Sequence, residues 1–314
     1  MNISILGGGS WGTALAVHLA RKGHSIKIWE FLPVQAQEMQ MKRVCPLLSG
    51  IKLPRKVMVS SEMKEVLTTM DLVMIAVPST AVEVTLEKAK PYLRSCDLML
   101  CSKGFARGGK LLSEVAQSFT SGKIYYLSGP THAEELGAGK FSGMVLAGPK
   151  GKEKLKQAFE SKNLKVELSE DIIGAQVCAA LKNVIALFVG ILDGMKWGDN
   201  AKAYIMTKGL GEIRIIGRAM GAQENTFMGL AGMGDLIVTC SSKHSRNRYV
   251  GVQIGKGKKL SEVLTEMKMV AEGLTAVKEA LKLGKKYKLK IPLIKGLHQI
   301  VCEGKDPQIF LQKL

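Results

Sequence analysis

Residues 5–16, ILGGGSWGTALA, set three consecutive glycines between the strand-like run NISIL and the first turn of an apolar-periodic segment. Gly7, Gly9 and Gly12 fall in the register GxGxxG. Between a strand and a helix, such glycines serve a tight turn, close approach of a pyrophosphate to the backbone, and packing of helix on strand. The helix N-terminus adds free N–H groups for the anion. The competing reading is a plain βα turn, and what favours the phosphate cradle is the arrival in order of strand, loop, helix and a second strand, SIKIW. Glu30 closes that strand 18 residues beyond Gly12, followed by Phe31 and Leu32 with no Arg at hand. A carboxylate there accepts ribose hydroxyls and repels a 2′-phosphate, so the expected cofactor is NAD or NADP, with NAD favoured. A surface acid at a strand end is the alternative for Glu30.

The same alternation continues through the first half of the chain. ISIL, SIKIW, KVMVS, LVMIAV, LMLCS, IYYLS and GMVLA are strand candidates, and amphipathic segments such as residues 80–90 and 110–119 lie between them. Strands separated by helices of this length imply right-handed crossovers and a mostly parallel sheet covered on both faces, an α/β doubly wound, Rossmann-like domain. After LKVELS the pattern changes. Residues 171–192, 204–220, 271–283 and 294–302 read as helices with no strand alternation, so an all-α C-terminal domain is expected. The expected division is a dinucleotide-binding domain, 1–170, and a helical substrate-binding and catalytic domain, 171–314, with the ligand site in the crevice between them.

Composition excludes several other classes. With 46% apolar and 23% charged residues and no leader-like start, a cytoplasmic globular protein without a membrane span is expected. The six cysteines show no CxxC spacing and the five histidines no HxH or HExxH, which predicts reduced thiols and no metal site. A net charge of +18 raises the question of a polyanion partner. From residue 251 onward there are 13 Lys, no Arg and 6 acids. Lysines without interleaved aromatics make a poor base-stacking surface, so a solvated basic face is expected rather than nucleic-acid binding. Steering of a small phosphorylated substrate fits the same sign.

Five stretches carry candidate chemistry. In LMLCSKG, Lys103 follows a strand on the carboxyl-end side where open α/β sheets bind ligands, although strand-end lysines are often only solvated. In YLSGPTHAEE, Gly129 and Thr131 can offer backbone and hydroxyl donors, or Thr131 can cap a turn. In CAALKNVIAL, Lys182 and Asn183 interrupt an apolar segment. A desolvated lysine beside a second cation has a lowered pKa suited to proton transfer, whereas a snorkelling lysine at a helix edge does not. In GLAGMGDL, Asp235 is either a carboxylate partner or a helix N-cap. Then come Ser245, Arg246, Asn247 and Arg248, in which Arg can grip phosphate bidentately or belong to a solvated loop.

Taken in order, GGGSWGTALA, SKG, SGPTHAEE, ALKNVIAL, GDNAKA, GLAGMGDL, SRNR and VAEGLTA resemble the bacterial-type NAD(P)-dependent glycerol-3-phosphate dehydrogenases over essentially the whole chain. The resemblance implies reversible hydride transfer between sn-glycerol 3-phosphate and dihydroxyacetone phosphate, supplying glycerophospholipid synthesis, in a homodimer. It implies that Lys182 gives a proton to the carbonyl oxygen while Asp235 holds it, and that Lys103 touches substrate and cofactor. Gly129, Thr131, Asn183, Ser245, Arg246 and Asn247 would line the substrate site, with Arg246 also near the cofactor. Ser10, Trp11, Phe31, Ala133, Val270 and Glu272 match cofactor positions. Two departures stand out: Phe31 where many members carry a polar or basic residue, and Thr131–His132 in place of the commoner Ser and Phe.

Overall fold

Strand β1 (Asn2–Leu6) is buried on four of its five residues, and every side chain of IYYLS is buried as well, the signature of strands covered on both faces. The computed structural model describes residues 1–267 and 271–312. Besides β1, the strands are β2 (Ser25–Trp29), β3 (Val44–Cys45), β4 (Leu48–Lys52), β5 (Met58–Ser60), β6 (Leu72–Ile75), β7 (Leu98–Leu100), β8 (Ile124–Ser128), β9 (Ser142–Ala147) and β10 (Leu164–Ser169). Eight of them form one sheet in the order β10-β9-β8-β7-β6-β1-β2-β5.

All neighbours in that sheet run parallel except β8 and β9, which pair antiparallel with Tyr126 opposite Ala147. The connection from β8 to β9 contains only the short helix Ala133–Gly137, and the chain folds straight back. β1 lies between β2 and β6, so the chain leaves it in one direction for β2 and β5 and then crosses to β6 on its other side. The carboxyl end of β1 is therefore the topological switch point, where sheets of this kind bind ligands. The small antiparallel pair β3–β4 has no counterpart in the strand pattern read from the sequence. Its strands are two and five residues long and contain Gly50, too short and too interrupted to alternate.

The chain divides into two units, one of Met1–Ser102 with Leu112–Ile172 and the other of Lys103–Leu111 with Ile173–Leu314. The excursion Lys103–Leu111 belongs to the second unit because Phe105 and Leu111 are part of its apolar core.

That core is built around the helix Ile172–Gly194, in which Gly174 through Leu192 are all buried. A helix apolar on every side must be wrapped by others. By length and hydropathy it would also span a membrane, but 89% of its most apolar window is buried in protein, as expected of a central core helix. The helix Arg246–Gly255 crosses it at glycines on both partners. A Cβ on Gly190 would stand 2.1 Å from the Arg248 carbonyl oxygen, and one on Gly251 2.0 Å from that of Leu187. Gly194 and Gly255 repeat this contact one turn on, so the two backbones touch directly. Glu212, on the helix Gly198–Ala219, accepts from the N–H groups of Leu293 and Ile294 at 2.7 and 2.9 Å. It thereby caps the helix Pro292–Glu303 from outside.

Candidate active site

In the first unit the loop from β1 into the helix Ser10–Arg21 fits a dinucleotide's phosphates by a steric criterion. Gly7 has φ +123°, and a Cβ there would meet the Ala76 carbonyl oxygen at 2.7 Å. On Gly12 it would lie 2.0 Å from the Gly7 oxygen, so these two glycines are required for the turn and for helix packing. A Cβ on Gly9 would meet nothing within 4 Å. The helix thus begins beside open space, with Ser10 and Trp11 half-buried at its first two positions. Glu30 is only 7% exposed and its Oε1 accepts from Leu32 N at 3.1 Å. Burial pushes its carboxyl pKa up, against hydrogen bonds from the backbone at Leu32, Gly8 and Phe31 and from Gln35. Phe31, by contrast, is 61% exposed. Ala133, the first residue of its short helix, is buried.

After β8, Gly129 adopts φ +127° and Thr131 turns its hydroxyl back onto β9, donating to the Gly143 carbonyl at 2.8 Å. The proton of Thr131 is therefore committed within the loop, and the side chain offers a ligand lone pairs rather than a donor.

The second unit brings Lys103, Lys182 and Asp235 into direct contact. Lys182 Nζ donates to Asp235 Oδ1 at 2.5 Å and Lys103 Nζ to Oδ2 at 3.0 Å. Asp235 is completely buried and Lys182 is 5% exposed, so neither snorkelling nor N-capping describes them. The chain reaches Asp235 through a wide turn, Leu230–Gly234, in which Gly234 N bonds the oxygen of Gly229 five residues back at 3.1 Å. Such turns are rare inside helices and recur at functional sites. This one delivers Asp235 to the first position of the helix Asp235–Ser241, after Gly234 at the cap.

Thr239, one turn further along that helix, is the member of the cluster that sequence reading missed. Its hydroxyl donates to the Asp235 backbone oxygen at 2.6 Å and accepts from Lys182 Nζ at 2.8 Å. The available signal was the i, i+4 spacing DLIVT, which puts Thr239 on the same helix face as Asp235. Two of the three ammonium donors of Lys182 are thus assigned among the described residues. Burial lowers the Lys182 pKa to about 7, with Asp235 raising it and Lys103 lowering it again. Asp235 is in turn held below the ordinary carboxylate range: burial alone would raise it, and the two lysines more than offset that.

The same unit contains the helix Arg246–Gly255, whose first turn carries the remaining polar candidates. Ser245 caps it, its hydroxyl accepting from Arg248 N at 3.3 Å. Arg248 points away, its Nε and terminal nitrogen bonding Asp193 Oδ2 at 2.7 and 2.6 Å. Arg246 is exposed and enters no ion pair among the described residues, so of the two arginines it is the one free to meet a phosphate. Asn247 is buried, and its Oδ1 accepts from Gly273 N at 2.9 Å. A Cβ on Gly273 would meet that oxygen at 2.8 Å and the Asn183 carbonyl at 2.7 Å, so Asn183 and Asn247 converge on one backbone position. Glu272, half-buried, precedes it as the first residue of the helix Glu272–Lys286. Val270 lies outside the described residues.

A glycine loop at a sheet's switch point in one unit, and a lysine–carboxylate cluster in the other, define a dinucleotide-dependent oxidoreductase. Comparison with known proteins narrows this. Two family models match, described as the NAD-dependent glycerol-3-phosphate dehydrogenase N-terminus, over residues 2–154, and C-terminus, over residues 171–312. A glycerol-3-phosphate dehydrogenase [NAD(P)+] of Thermoanaerobacter sp. (strain X514) is 42% identical over 98% of this chain and 94% of its own. That of Bacillus subtilis (strain 168) is 39% identical over 99% and 93%. The crystal structure of glycerol-3-phosphate dehydrogenase from Coxiella burnetii superposes with a TM-score of 0.96 at 33% identity, covering 99% of this chain and 98% of that one. The chain belongs to the NAD-dependent glycerol-3-phosphate dehydrogenase family.

Proposed function

We propose that this protein is an NAD(P)-dependent glycerol-3-phosphate dehydrogenase that interconverts dihydroxyacetone phosphate and sn-glycerol 3-phosphate, the latter for glycerophospholipid synthesis. The observation that carries the reading is the buried Lys182–Asp235–Lys103 cluster, in which an ammonium with a pKa near 7 has a donor left for a substrate oxygen. The dinucleotide, when bound, supplies or accepts the hydride at its nicotinamide. Everything else is asked of the chain itself. Lys182 gives its proton to the carbonyl oxygen of dihydroxyacetone phosphate as that oxygen becomes an alkoxide, and takes it back in the reverse direction. Asp235 and Thr239 hold the Lys182 ammonium in place and Lys103 stabilises negative charge on the substrate. Arg246, with the donors of Ser245 and Asn247, grips the phosphate; Asn183, Gly129 and Thr131 line the substrate.

For the cofactor, Gly7, Gly9, Ser10, Trp11 and Gly12 hold the pyrophosphate end and Glu30 the ribose, with Phe31, Ala133, Val270 and Glu272 as further contacts. A buried carboxylate at the ribose favours NAD over NADP. We further propose a cytoplasmic homodimer, for which sedimentation at working concentration is the test. The reading as a whole is tested by following NADH and NADPH oxidation in parallel with dihydroxyacetone phosphate. Turnover that requires this phosphorylated ketone and is faster with NADH supports it; no turnover with either nucleotide refutes it.

A further inference from the structure

Beside the end of β2 stands a cation to which the proposed reading gives no role. Glu30 turns inward, while Phe31 turns outward, its ring edge-on to Trp29 at a centroid distance of 6.2 Å. Over the exposed Phe31 ring stands the ammonium of Lys88, 4.9 Å from its centroid. Lys88 comes from the middle of the helix Val82–Leu93, which belongs to the crossover from β6 to β7 rather than to β2. It is exposed and pairs with no carboxylate among the described residues. A cation on an exposed aromatic face is held weakly and is free to leave it for a better anion.

In dinucleotide sites of this topology the end of the second strand faces the adenosine ribose: a carboxylate there takes the 2′-hydroxyl, and a cation nearby takes a 2′-phosphate. Here a carboxylate and a cation come from separate elements, Glu30 just after β2 and Lys88 on the crossover helix. We propose that Lys88 is the specificity-determining residue for the 2′-position, exchanging the Phe31 ring for the 2′-phosphate of NADP(H) and so fixing how much NADP(H) the enzyme accepts despite Glu30. The inference rests on the reading of Glu30 as the ribose end. A lysine acts as a point charge here, without the bidentate grip of arginine, and at an exposed site its pull is screened by salt.

Binding of NADH and of NADPH to the full-length protein, each followed by nicotinamide fluorescence without substrate, tests this. In Lys88→Met the ratio of NADPH to NADH dissociation constants rises roughly fivefold, and further in Lys88→Glu, whereas Lys88→Arg keeps it at or below the wild-type value. Raising salt increases the ratio in the wild type, and that increase is lost in Lys88→Met, where only the repulsion from Glu30 is left to be screened. A ratio unchanged in Lys88→Met, with NADH still bound, overturns the role of Lys88 alone. Failure of the wild type to bind either nucleotide overturns the ribose-end reading and this inference with it.

Discussion

Lys182 and Asp235 share a hydrogen bond of 2.5 Å at a place almost closed to solvent, their side chains being 6% and 1% exposed. The pair is not left to itself, because Lys103 takes the second carboxylate oxygen and Thr239 a second ammonium proton. One buried anion between two cations leaves excess positive charge where an alkoxide and a phosphate would be handled. The first expectation follows from it: Lys182→Ala lowers kcat by about 10²- to 10⁴-fold, the usual worth of a positioned general acid. The variant's dinucleotide affinity and circular dichroism check that the fold survives, and an unchanged kcat would refute the assignment.

The pH dependence has a definite sign. Reduction of the ketone needs the ammonium form of Lys182, so its rate falls as pH rises through about 7, while oxidation of the alcohol needs the amine and rises through the same range. Lys103→Met removes a like charge and moves the alkaline limb of reduction to higher pH. Asp235→Asn removes the opposite charge and moves it lower, each by about one unit or more. Profiles of kcat in both directions measure this, and limbs that move the same way in the two variants contradict it.

Arg246→Ala is expected to raise KM for dihydroxyacetone phosphate more than tenfold while leaving the rate with dihydroxyacetone, which has no phosphate, nearly unchanged. A loss of a charged hydrogen-bonding partner is worth about 1.5 to 3 kcal/mol, which sets that scale. Arg248→Ala acts differently, since its guanidinium is spent on Asp193. It should lower stability in a denaturant titration.

Glu212→Ala should destabilise the second unit by about 1 to 3 kcal/mol, because it strips the acceptor from two buried N–H groups at the start of the helix Pro292–Glu303. Urea unfolding gives the value, and Glu212→Gln, which keeps one acceptor oxygen, is expected to recover part of it.

Much of the fold was legible because the strands of the first unit obey period and spacing: each candidate from ISIL to GMVLA became a strand of the main sheet. The β3–β4 pair escaped for want of length, and the antiparallel turn between β8 and β9 because periodicity carries no direction. In the site, Lys182 announced itself as a charge inside an apolar helix, and Asp235 as a lone acid among glycines. Thr239 did not, since a threonine on a buried helix face reads as packing until its hydroxyl is seen to bridge two partners. The crossing at Gly190 and Gly251 was equally silent, because a glycine chosen for close approach looks in sequence like any other. Lys88 near Phe31 joins residues 57 positions apart, which no local pattern connects.

The most direct test of the central claim, that a buried lysine is the proton donor for a phosphorylated ketone, is the single-turnover rate of NADH oxidation with dihydroxyacetone phosphate in wild type and Lys182→Met across pH 5 to 10. The wild type should lose rate above about pH 7 and the variant should be slow and flat with pH. A variant that keeps the wild-type rate, or the same pH limb, would show that the proton comes from elsewhere.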